Sequence, residues 1–410
     1  MNDSIVVLVS VDGLAHFYLD DPKAEMPILR RLVAEGARAE SMIASTPTVT
    51  WPNHTTLVTG VAPAKHGVLG NTLFDRAKGE VMPLLVDPLF SKDEIVKVPT
   101  VYDVAHSAGL RTAALMWPAT RGAKSLHWTM PDVGVLELTK QYATPALLDE
   151  FTAAGIPWEK QHVWWQEQKG RERDGMFVQQ MKHVLTRHRP NLALLHLVEL
   201  DHVQHLKGPR SPEAYDAVKL EDALVGEVWA HLQREFPGKC TLVVVSDHGF
   251  FSFEQQILPN VLLRQRGLLT TLGSKITGGK VRAVSQGGAN FIYVLDEENR
   301  SALTAQLAEA FRSVEGVELV LTPEEFAVRG LADPKTNPHM ADLVLSAKSG
   351  YAFADLAAGD VVVTAKGPVK GAHGYDAAQR DMHATFIACG AGVRPGTALG
   401  VIRSTSVAPT

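Results

Sequence analysis

Three stretches of the chain are apolar almost without interruption, and they constrain the fold more than any other feature. Residues 4–13 read SIVVLVSVDG, residues 192–201 read LALLHLVELD, and residues 241–249 read TLVVVSDHG. None alternates strictly between apolar and polar, so each pattern is typical of a strand buried on both faces. Amphipathic helical patterns occur elsewhere, at 27–36 and 214–232. The sequence therefore predicts an α/β domain with a mostly parallel central sheet covered by helices.

The rest of the chain divides into a core and two insertions. Residues 1–258 are predicted to form the α/β core, within which residues 141–189 have a mostly helical pattern typical of a cap. From 259 to 367, short strand and helix patterns predict a smaller α+β insertion. Residues 368–410 are expected to return to the core.

Composition excludes several classes of protein. Hydrophobic residues make up 45% of the chain, and the formal net charge of −5 gives no attraction for bulk nucleic acid. The two cysteines, Cys240 and Cys389, exclude a disulfide scaffold and suit a reducing compartment. The N-terminal sequence lacks the features of a secretory signal, and no apolar run reaches the length of a membrane span. We therefore expect a cytoplasmic protein that does not bind a membrane.

Each of the three apolar runs is followed closely by an aspartate, namely Asp12, Asp201 and Asp247. The carboxyl ends of neighbouring parallel strands meet at one edge of a sheet, where ligands of open α/β sheets bind. A single aspartate there is ordinary, because Asp-Gly is a common turn dipeptide. Three carboxylates in one place require a cation or a proton. The pattern therefore indicates a metal site.

Three histidines accompany these aspartates. His205 follows Asp201 by four residues, a spacing that puts both on one side of a helical turn. His248 directly follows Asp247, and His373 lies in KGAHGYD, where glycines let a backbone approach closely. Imidazole and carboxylate ligands in this mixture suit zinc or a similar first-row ion. Together they supply two ligand sets, as a two-metal hydrolytic centre requires.

Other histidines near these motifs are predicted to support the site without binding metal. His54, His66 and His196 are expected in supporting or core positions. His202 is offset by one residue from Asp201, so it should point away from the face that carries the proposed ligands.

The segment TPTVTWPNHTTLVTG, residues 46–60, contains a candidate nucleophile. Pro52 suits the first turn of a helix, which puts Thr50 at or just before the N-terminus of that helix. Unpaired N–H groups at a helix N-terminus suit phosphate, and a neighbouring metal would activate the hydroxyl. Threonine also serves as an N-cap. The local sequence leaves both interpretations of Thr50 open.

Taken in order, the motifs resemble a known family. The series VDG, TPTVTWPNHTTLVTG, HGVLGN, DHVQHLKGP, SDHG and AHGYD closely resembles the nucleotide pyrophosphatase/phosphodiesterase branch of the alkaline phosphatase superfamily. The resemblance runs from about residue 5 to the end of the chain, with diverging insertions. It implies an alkaline-phosphatase-like α/β/α sandwich.

The resemblance also implies roles for individual residues. Thr50 matches the family's nucleophile, which becomes a phosphothreonine, and Asn71 matches its phosphate-contacting asparagine. The implied cofactors are two divalent metal ions, zinc first, with manganese or iron left open. The implied ligands are Asp201, His205 and His373 for one ion, and Asp12, Asp247, His248 and Thr50 for the other.

The substrate is expected to be a small phosphate ester, nucleotide or phosphonate. Apolar neighbours of Thr50 and a neutral contact at Asn71 favour a singly charged phosphate, hence a diester or pyrophosphate linkage. A cation reaching in from a loop would favour a monoester, and Arg121, Lys124 and Lys207 are the candidates. The physiological substrate and the oligomeric state are left open.

Other functions are considered alongside this one. The DHVQH and HGVLGN motifs also resemble phosphonoacetate hydrolases, which cleave a C–P bond and use lysines near the segment where this chain offers Lys124. An inactive metal-binding module is a remote alternative, because all the expected catalytic positions are filled. Three tryptophans, Trp117, Trp164 and Trp165, are expected to form an apolar cap wall, with stacking on a nucleobase as the alternative.

Overall fold

The computed structural model describes residues 4–85 and 90–410. In these ranges the α-helices, α1 to α15 in chain order, are Phe17–Asp20, Pro27–Glu35, Thr50–Thr59, Pro63–His66, Lys92–Ile95, Val101–Ser107, Leu136–Tyr142, Pro145–Ala153, Gln161–Gln166, Gly170–His188, Glu199–Lys207, Pro212–Glu235, Pro259–Gln265, Arg300–Arg312 and Pro323–Phe326. The strands, β1 to β22, are Ile5–Val11, Ala37–Arg38, Ser41–Ile43, Thr72–Asp75, Glu80–Pro83, Thr112–Leu115, Trp128–Met130, Leu192–Leu197, Cys240–Val245, Phe251–Ile257, Leu269–Leu272, Lys275–Gly279, Val281–Ser285, Ala289–Val294, Val317–Leu321, Leu343–Ala347, Gly350–Phe353, Val363–Ala365, Gly371–Ala372, Phe386–Gly390, Thr397–Ala398 and Val401–Arg403.

The central sheet has eight strands in the order β21-β2-β20-β9-β1-β8-β6-β7. The five strands from β9 to β7 are parallel, and β20 pairs with β9 in the antiparallel direction. The three apolar runs of the sequence form β1, β8 and β9, which lie side by side. The predicted α/β fold with a mostly parallel sheet is confirmed.

The packing of β1 shows why its sequence is apolar on both faces. Val7 and Val9 belong to a hydrophobic cluster that contains buried side chains of α2, α10 and α12. Leu8, which points to the opposite face, packs in a second cluster with Leu57 of α3 and Tyr102 of α6. Helices therefore cover both faces of the sheet, as in an α/β/α sandwich.

A second, antiparallel sheet lies in the part of the chain predicted as an α+β insertion. Its strand order is β13-β14-β16-β15, and α14 packs against β15. β10 forms a further small sheet in which it pairs with β17, β18 and β19. The proposed domain boundaries after residues 258 and 367 stay predictions. None of the helices in the described ranges combines the length and the apolar character that crossing a membrane requires.

One element differs from the sequence expectation. β8 ends at Leu197, and α11 begins at Glu199, so Asp201 lies in the first turn of a helix and not at a strand end. The side chain of Asp174, on α10, accepts the backbone N–H groups of Val198 at 2.7 Å and Glu199 at 2.8 Å. These are among the N–H groups that a helix start leaves unpaired, so Asp174 fixes where α11 begins.

Candidate active site

A cavity of about 400 Å³ contains most of the sequence-predicted site residues. It opens at the carboxyl end of β1, where Asp12 follows the strand. α11 contributes Asp201 and His205 to its lining, and α3 contributes Thr50. The predicted residues Asn71 and His373 also line it.

The first group of candidate ligands joins the ends of β1 and β9. Nε2 of His248 lies 3.3 Å from Oδ1 of Asp12 and 3.1 Å from Oδ2 of Asp247. All three residues are buried. The sequence placed these residues in one ligand set, and their ligand atoms lie within 4.8 Å of one another, close enough to share an ion.

The second group centres on Asp201. Its Oδ2 lies 3.5 Å from Nε2 of His205, and its Oδ1 lies 3.6 Å from Nε2 of His373. The ring of His373 stacks on the ring of His248 with centroids 3.7 Å apart. His248 therefore stands between the two groups, and Asp201, His248 and His373 also have ligand atoms within 4.8 Å of one another.

Unpaired buried atoms test whether this arrangement fits a cation. Among the candidate ligands, four buried atoms have no hydrogen-bond partner in the described structure, namely Oδ1 of Asp12, Oδ1 of Asp201, Oδ2 of Asp247 and Nε2 of His248. An unpaired buried polar atom is costly, and several in one place call for a common partner. Carboxylate oxygens and an imidazole nitrogen are donors that suit zinc. The residues therefore fit two adjacent metal ions.

The backbone fixes the orientation of each histidine. Nδ1 of His205 lies 3.0 Å from the carbonyl oxygen of Gly371, and Nδ1 of His373 lies 3.0 Å from that of Thr48. Nδ1 of His248 lies 3.2 Å from the carbonyl oxygen of Gly249. A carbonyl can only accept, so in each ring Nδ1 donates and Nε2 is left to bind a metal. Contacts of this kind set the tautomer of metal-binding histidines.

Burial shifts the protonation equilibria in opposite directions for acids and bases. Burial, together with the neighbouring Asp201, raises the pKa of Asp12 well above its usual value. Burial and then Asp12 raise the pKa of Asp247 in the same way. Burial lowers the pKa of His373 to about 4 and that of His248 well below its usual value. Neutral imidazole is the form that binds metal, and a cation beside the carboxylates would favour their ionised form.

Thr50 is the first residue of α3 and is 6% exposed, at the wall of the cavity. The N-cap position belongs to Val49, whose side chain makes no capping hydrogen bond. Capping therefore does not account for Thr50. The neighbouring N–H of Trp51 donates to Oδ1 of Asn71 at 2.9 Å, which ties Asn71 to the start of the same helix.

The supporting histidines lie where the sequence predicts them. Nε2 of His196 contacts Oδ2 of Asp12 at 2.9 Å. His54 is buried between Ser10 and the carbonyl oxygen of Thr50. His66 is fully buried in contact with the side chain of a threonine on α3, away from the two ligand groups.

Several residues of the cavity wall differ from expectation. Of the three candidate tryptophans, only Trp165 lines the cavity, while Trp117 is fully buried beneath it. His202 is not part of either ligand group, as predicted, yet it lines the cavity and its ring lies 4.8 Å from that of Trp165. The sequence analysis did not single out Arg173 or Asp132, which also line it. RERD, residues 171–174, has the composition of a solvated helix face, so no local signal marks Arg173 as buried.

Comparison with known proteins decides the family. Residues 6–376 match the family model described as type I phosphodiesterase/nucleotide pyrophosphatase, which is most of the chain. The chain belongs to this family.

Curated relatives share part of this chain. It is 26% identical over 244 residues to ectonucleotide pyrophosphatase/phosphodiesterase family member 1 of Homo sapiens, which covers 59% of this chain and 23% of the human protein. It is 27% identical over 254 residues to a pyrophosphatase/phosphodiesterase of Schizosaccharomyces pombe, covering 60% of this chain and 44% of that one. The matched part thus spans less than half the length of either relative.

Solved structures support the fold. Murine ectonucleotide pyrophosphatase/phosphodiesterase 5, in an inactive threonine-to-alanine form in complex with AMP, superposes with a TM-score of 0.71 at 21% identity. The match covers 99% of this chain and 93% of the murine chain. The human counterpart gives a TM-score of 0.70 at 22% identity over the same shares of the two chains.

Proposed function

We propose that this protein hydrolyses phosphodiester or pyrophosphate bonds of small, nucleotide-like substrates at a two-metal centre. The observation that carries the proposal is the meeting, in and beside one cavity, of the Thr50 hydroxyl and two adjacent groups of ligand atoms. Membership of the type I phosphodiesterase/nucleotide pyrophosphatase family supports the same reaction class. We propose zinc as the metal because histidine nitrogens and carboxylate oxygens make up the donor set.

The proposed ligand sets are those of the sequence analysis. Asp201, His205 and His373 would hold one ion, and Asp12, Asp247 and His248 the other, with Thr50 beside them. When bound, two such ions would favour the deprotonated form of the Thr50 hydroxyl and neutralise charge on the phosphate oxygens.

The chain's own residues account for attack and orientation. Oγ of Thr50 attacks phosphorus, forming an O–P bond while the bond to the leaving oxygen breaks, and a phosphothreonine results. Water then cleaves the phosphothreonine and restores the hydroxyl. With Oδ1 of Asn71 held by the backbone of Trp51, its Nδ2 group is the donor that remains for a phosphate oxygen. The N-terminus of α3 adds a partial positive charge at the same place.

Nucleotides are the substrate class that we propose. The murine relative binds AMP, and its inactive form carries alanine in place of a threonine, which supports a nucleotide ligand and a threonine nucleophile in this chain. Lys124 and Lys207 are exposed and do not line the cavity, and Arg121, although buried, does not line it either. None of these three therefore favours the monoester or C–P alternatives, and the family match does not favour them either.

The experiment is a comparison of kcat/KM on bis-p-nitrophenyl phosphate, p-nitrophenyl phosphate and phosphonoacetate, with zinc added. We expect wild type to prefer the diester. Thr50→Ala should lower kcat/KM by roughly 1,000-fold or more, because it removes the attacking atom and not a binding contact. Thr50→Ser keeps a hydroxyl and should retain measurable activity. Acid-quenched wild type should gain the mass of one phosphoryl group, and Thr50→Ala should not.

The contrary outcomes are distinct. Full activity of Thr50→Ala would refute the nucleophile, whatever the substrate. Preference of wild type for phosphonoacetate would assign the protein to C–P bond hydrolysis. Bound zinc without turnover of any ester would indicate a metal-binding module.

A further inference from the structure

Arg173 is a buried cation in the wall of the active-site cavity. It is 6% exposed and lies on α10, in the helical segment predicted as a cap. Of the lysines and arginines that the structure describes, Arg173 alone lines this cavity. It is separate from the two groups of candidate metal ligands.

The guanidinium of Arg173 lacks the partners that burial normally demands. Its Nε is buried without a hydrogen bond, and within residues 4–85 and 90–410 no hydrogen bond reaches its other nitrogens. The nearest carboxylate oxygen, Oδ1 of Asp174, lies 3.9 Å from Nε, beyond hydrogen-bond distance. An arginine offers five N–H donors, so an unpaired buried one retains a large capacity to bind an anion.

The neighbouring acids do not satisfy this arginine. Oδ2 of Asp174 already accepts two backbone N–H groups at the start of α11. Glu221, which is fully buried, has its pKa raised well above the usual range by burial and then by Asp174, which disfavours its charged form. An arginine that only neutralised these buried acids would be expected to make a hydrogen bond to one of their carboxylates. Arg173 makes no such bond within the described residues.

Aromatic rings hold the guanidinium in place. Its central carbon lies 4.5 Å from the ring centroid of Trp165 and 5.9 Å from that of Phe177. Trp165 is 47% exposed, lines the cavity, and contacts the ring of His202. Stacking of this kind orients the plane of an arginine while its N–H edge stays available to a ligand.

We propose that Arg173 forms a subsite for a second anionic group of the substrate, a phosphate or a carboxylate, away from the ester bond that is cleaved. The proposal rests on the proposed function, because it takes the cavity shared with Thr50 as the substrate site. Arg173 contacts the rings of Trp165 and Phe177 and lies near the carboxylate of Asp174. Within the described residues, none of its ring or charge contacts is to Thr50 or Asn71. The preferred substrate class is therefore a diester or pyrophosphate that carries a further negative charge.

Three matched diesters test this subsite. All release p-nitrophenol, and the other ester group is phenyl, 4-carboxyphenyl or 4-phosphonophenyl. We expect wild type to prefer the two charged diesters in kcat/KM by about 10- to 100-fold, the contribution of a hydrogen bond to a charged group. Arg173→Met should abolish this preference through KM, with the larger loss on the two charged diesters. The carboxylate and phosphonate arms then show which anion the subsite favours.

Two further variants separate binding from structure. Arg173→Lys keeps the charge without the planar fork and should retain part of the preference. Arg171→Met, on the exposed side of the same helix, should behave as wild type with all three diesters. Equal loss on all three diesters in Arg173→Met would overturn the proposal in favour of a structural role. Selective loss on p-nitrophenyl phosphate would overturn it in favour of a contact with the reacting phosphate.

A binding measurement separates this proposal from the proposed function. If wild type hydrolyses no diester, the proposed function fails, and calorimetric titration with phenyl phosphate and 4-carboxyphenyl phosphate still reports on Arg173. Tighter binding of the carboxylated compound, lost in Arg173→Met, would support the subsite independently of turnover. Equal binding of the two compounds by wild type would overturn it.

Discussion

The two oxygens of Asp12 have different surroundings, and the difference gives His196 a role. Oδ2 lies within hydrogen-bond distance of Nε2 of His196, at 2.9 Å, whereas Oδ1 is unpaired and faces His248. Nδ1 of His196 lies 3.2 Å from the carbonyl oxygen of Met116. The contact between His196 and Oδ2 sets the rotation of the Asp12 carboxylate, so that Oδ1 points at the position that a metal would take. His196 is a positioning residue for the centre.

Replacing His196 should weaken metal binding without removing a ligand. In His196→Asn the shorter side chain cannot reach Asp12, and zinc affinity should fall about 10- to 100-fold. His196→Gln can place an N–H close to the same point and should recover most of the affinity. Competition with a chromogenic chelator measures the affinity. His183→Asn, on α10 and paired with Glu150, is the control and should bind zinc as wild type does. Unchanged affinity in His196→Asn would contradict the role.

Single residues also show what the sequence could and could not reveal. The positions of Asp12, Asp247 and His248, and of Asp201 and His205, were predictable from buried strands and a helical spacing, whereas His373 was indicated by its glycine-rich motif and the family resemblance. Arg173 was not predictable, because RERD on a helix resembles an exposed charged face. Only tertiary packing against Trp165 and Phe177 makes that arginine part of the cavity wall.

The start of α3 is held by one asparagine. Nδ2 of Asn53 donates to the carbonyl oxygens of Ser45 at 3.2 Å, Pro47 at 3.1 Å and Val49 at 2.9 Å. Its Oδ1 accepts the N–H of Ser45 at 2.6 Å. Asn53 is fully buried, so these contacts replace hydrogen bonds to water for the loop that leads into α3. They fix the position of Thr50 through the backbone.

Removing this side chain should loosen the element that carries Thr50. Asn53→Ala removes the four side-chain hydrogen bonds to this loop, and we expect it to lower the free energy of unfolding by about 3 kcal/mol and to lower kcat more than it raises KM. Urea unfolding and steady-state kinetics measure the two effects. Thr59→Ala removes one hydrogen bond, to Thr55 at the far end of the helix, and should change kcat little. Wild-type kcat in a destabilised Asn53→Ala would show that the loop does not position Thr50.

Elements were predictable to the extent that their signals are local. Continuous apolar runs identify β1, β8 and β9, and Pro27 with Gly36 bounds α2 as the sequence suggests. The helical spacing of Asp201 and His205 agrees with α11, but the preceding strand was predicted to continue to Asp201, because Asp174, which fixes the start of that helix, is 27 residues earlier in the chain. A boundary set by such a distant side chain leaves no mark in the local sequence.

The candidate metal centre joins segments that are far apart in the chain. Asp12 follows β1, Asp201 lies on α11, Asp247 follows β9, and His373 follows β19. His373 reaches the site after the chain has completed the antiparallel sheet of the α+β region. Bound ions would therefore link the central sheet to that later segment, and binding energy at such a site adds to the stability of the folded state.

Metal removal should consequently destabilise the whole molecule. At a free metal concentration 100 times the dissociation constant, each site contributes about 2.7 kcal/mol to the free energy of unfolding. We expect an excess of chelator to lower the midpoint of thermal unfolding, measured by scanning calorimetry, by roughly 3–10 °C. Readdition of zinc should restore it.

A variant of Asp247 distinguishes a metal link from a general effect of chelators. Asp247→Asn keeps an Oδ1 atom that can accept the N–H of Gly13, an existing contact of 3.2 Å, but it removes a charged ligand. It also removes a carboxylate whose pKa is raised by burial and by Asp12, so the metal-free form loses an unfavourable group. The metal-free variant should thus unfold no lower than metal-free wild type, and chelator should shift its midpoint less. An equal chelator effect in the two proteins would mean that the ions contribute to stability elsewhere, or not at all.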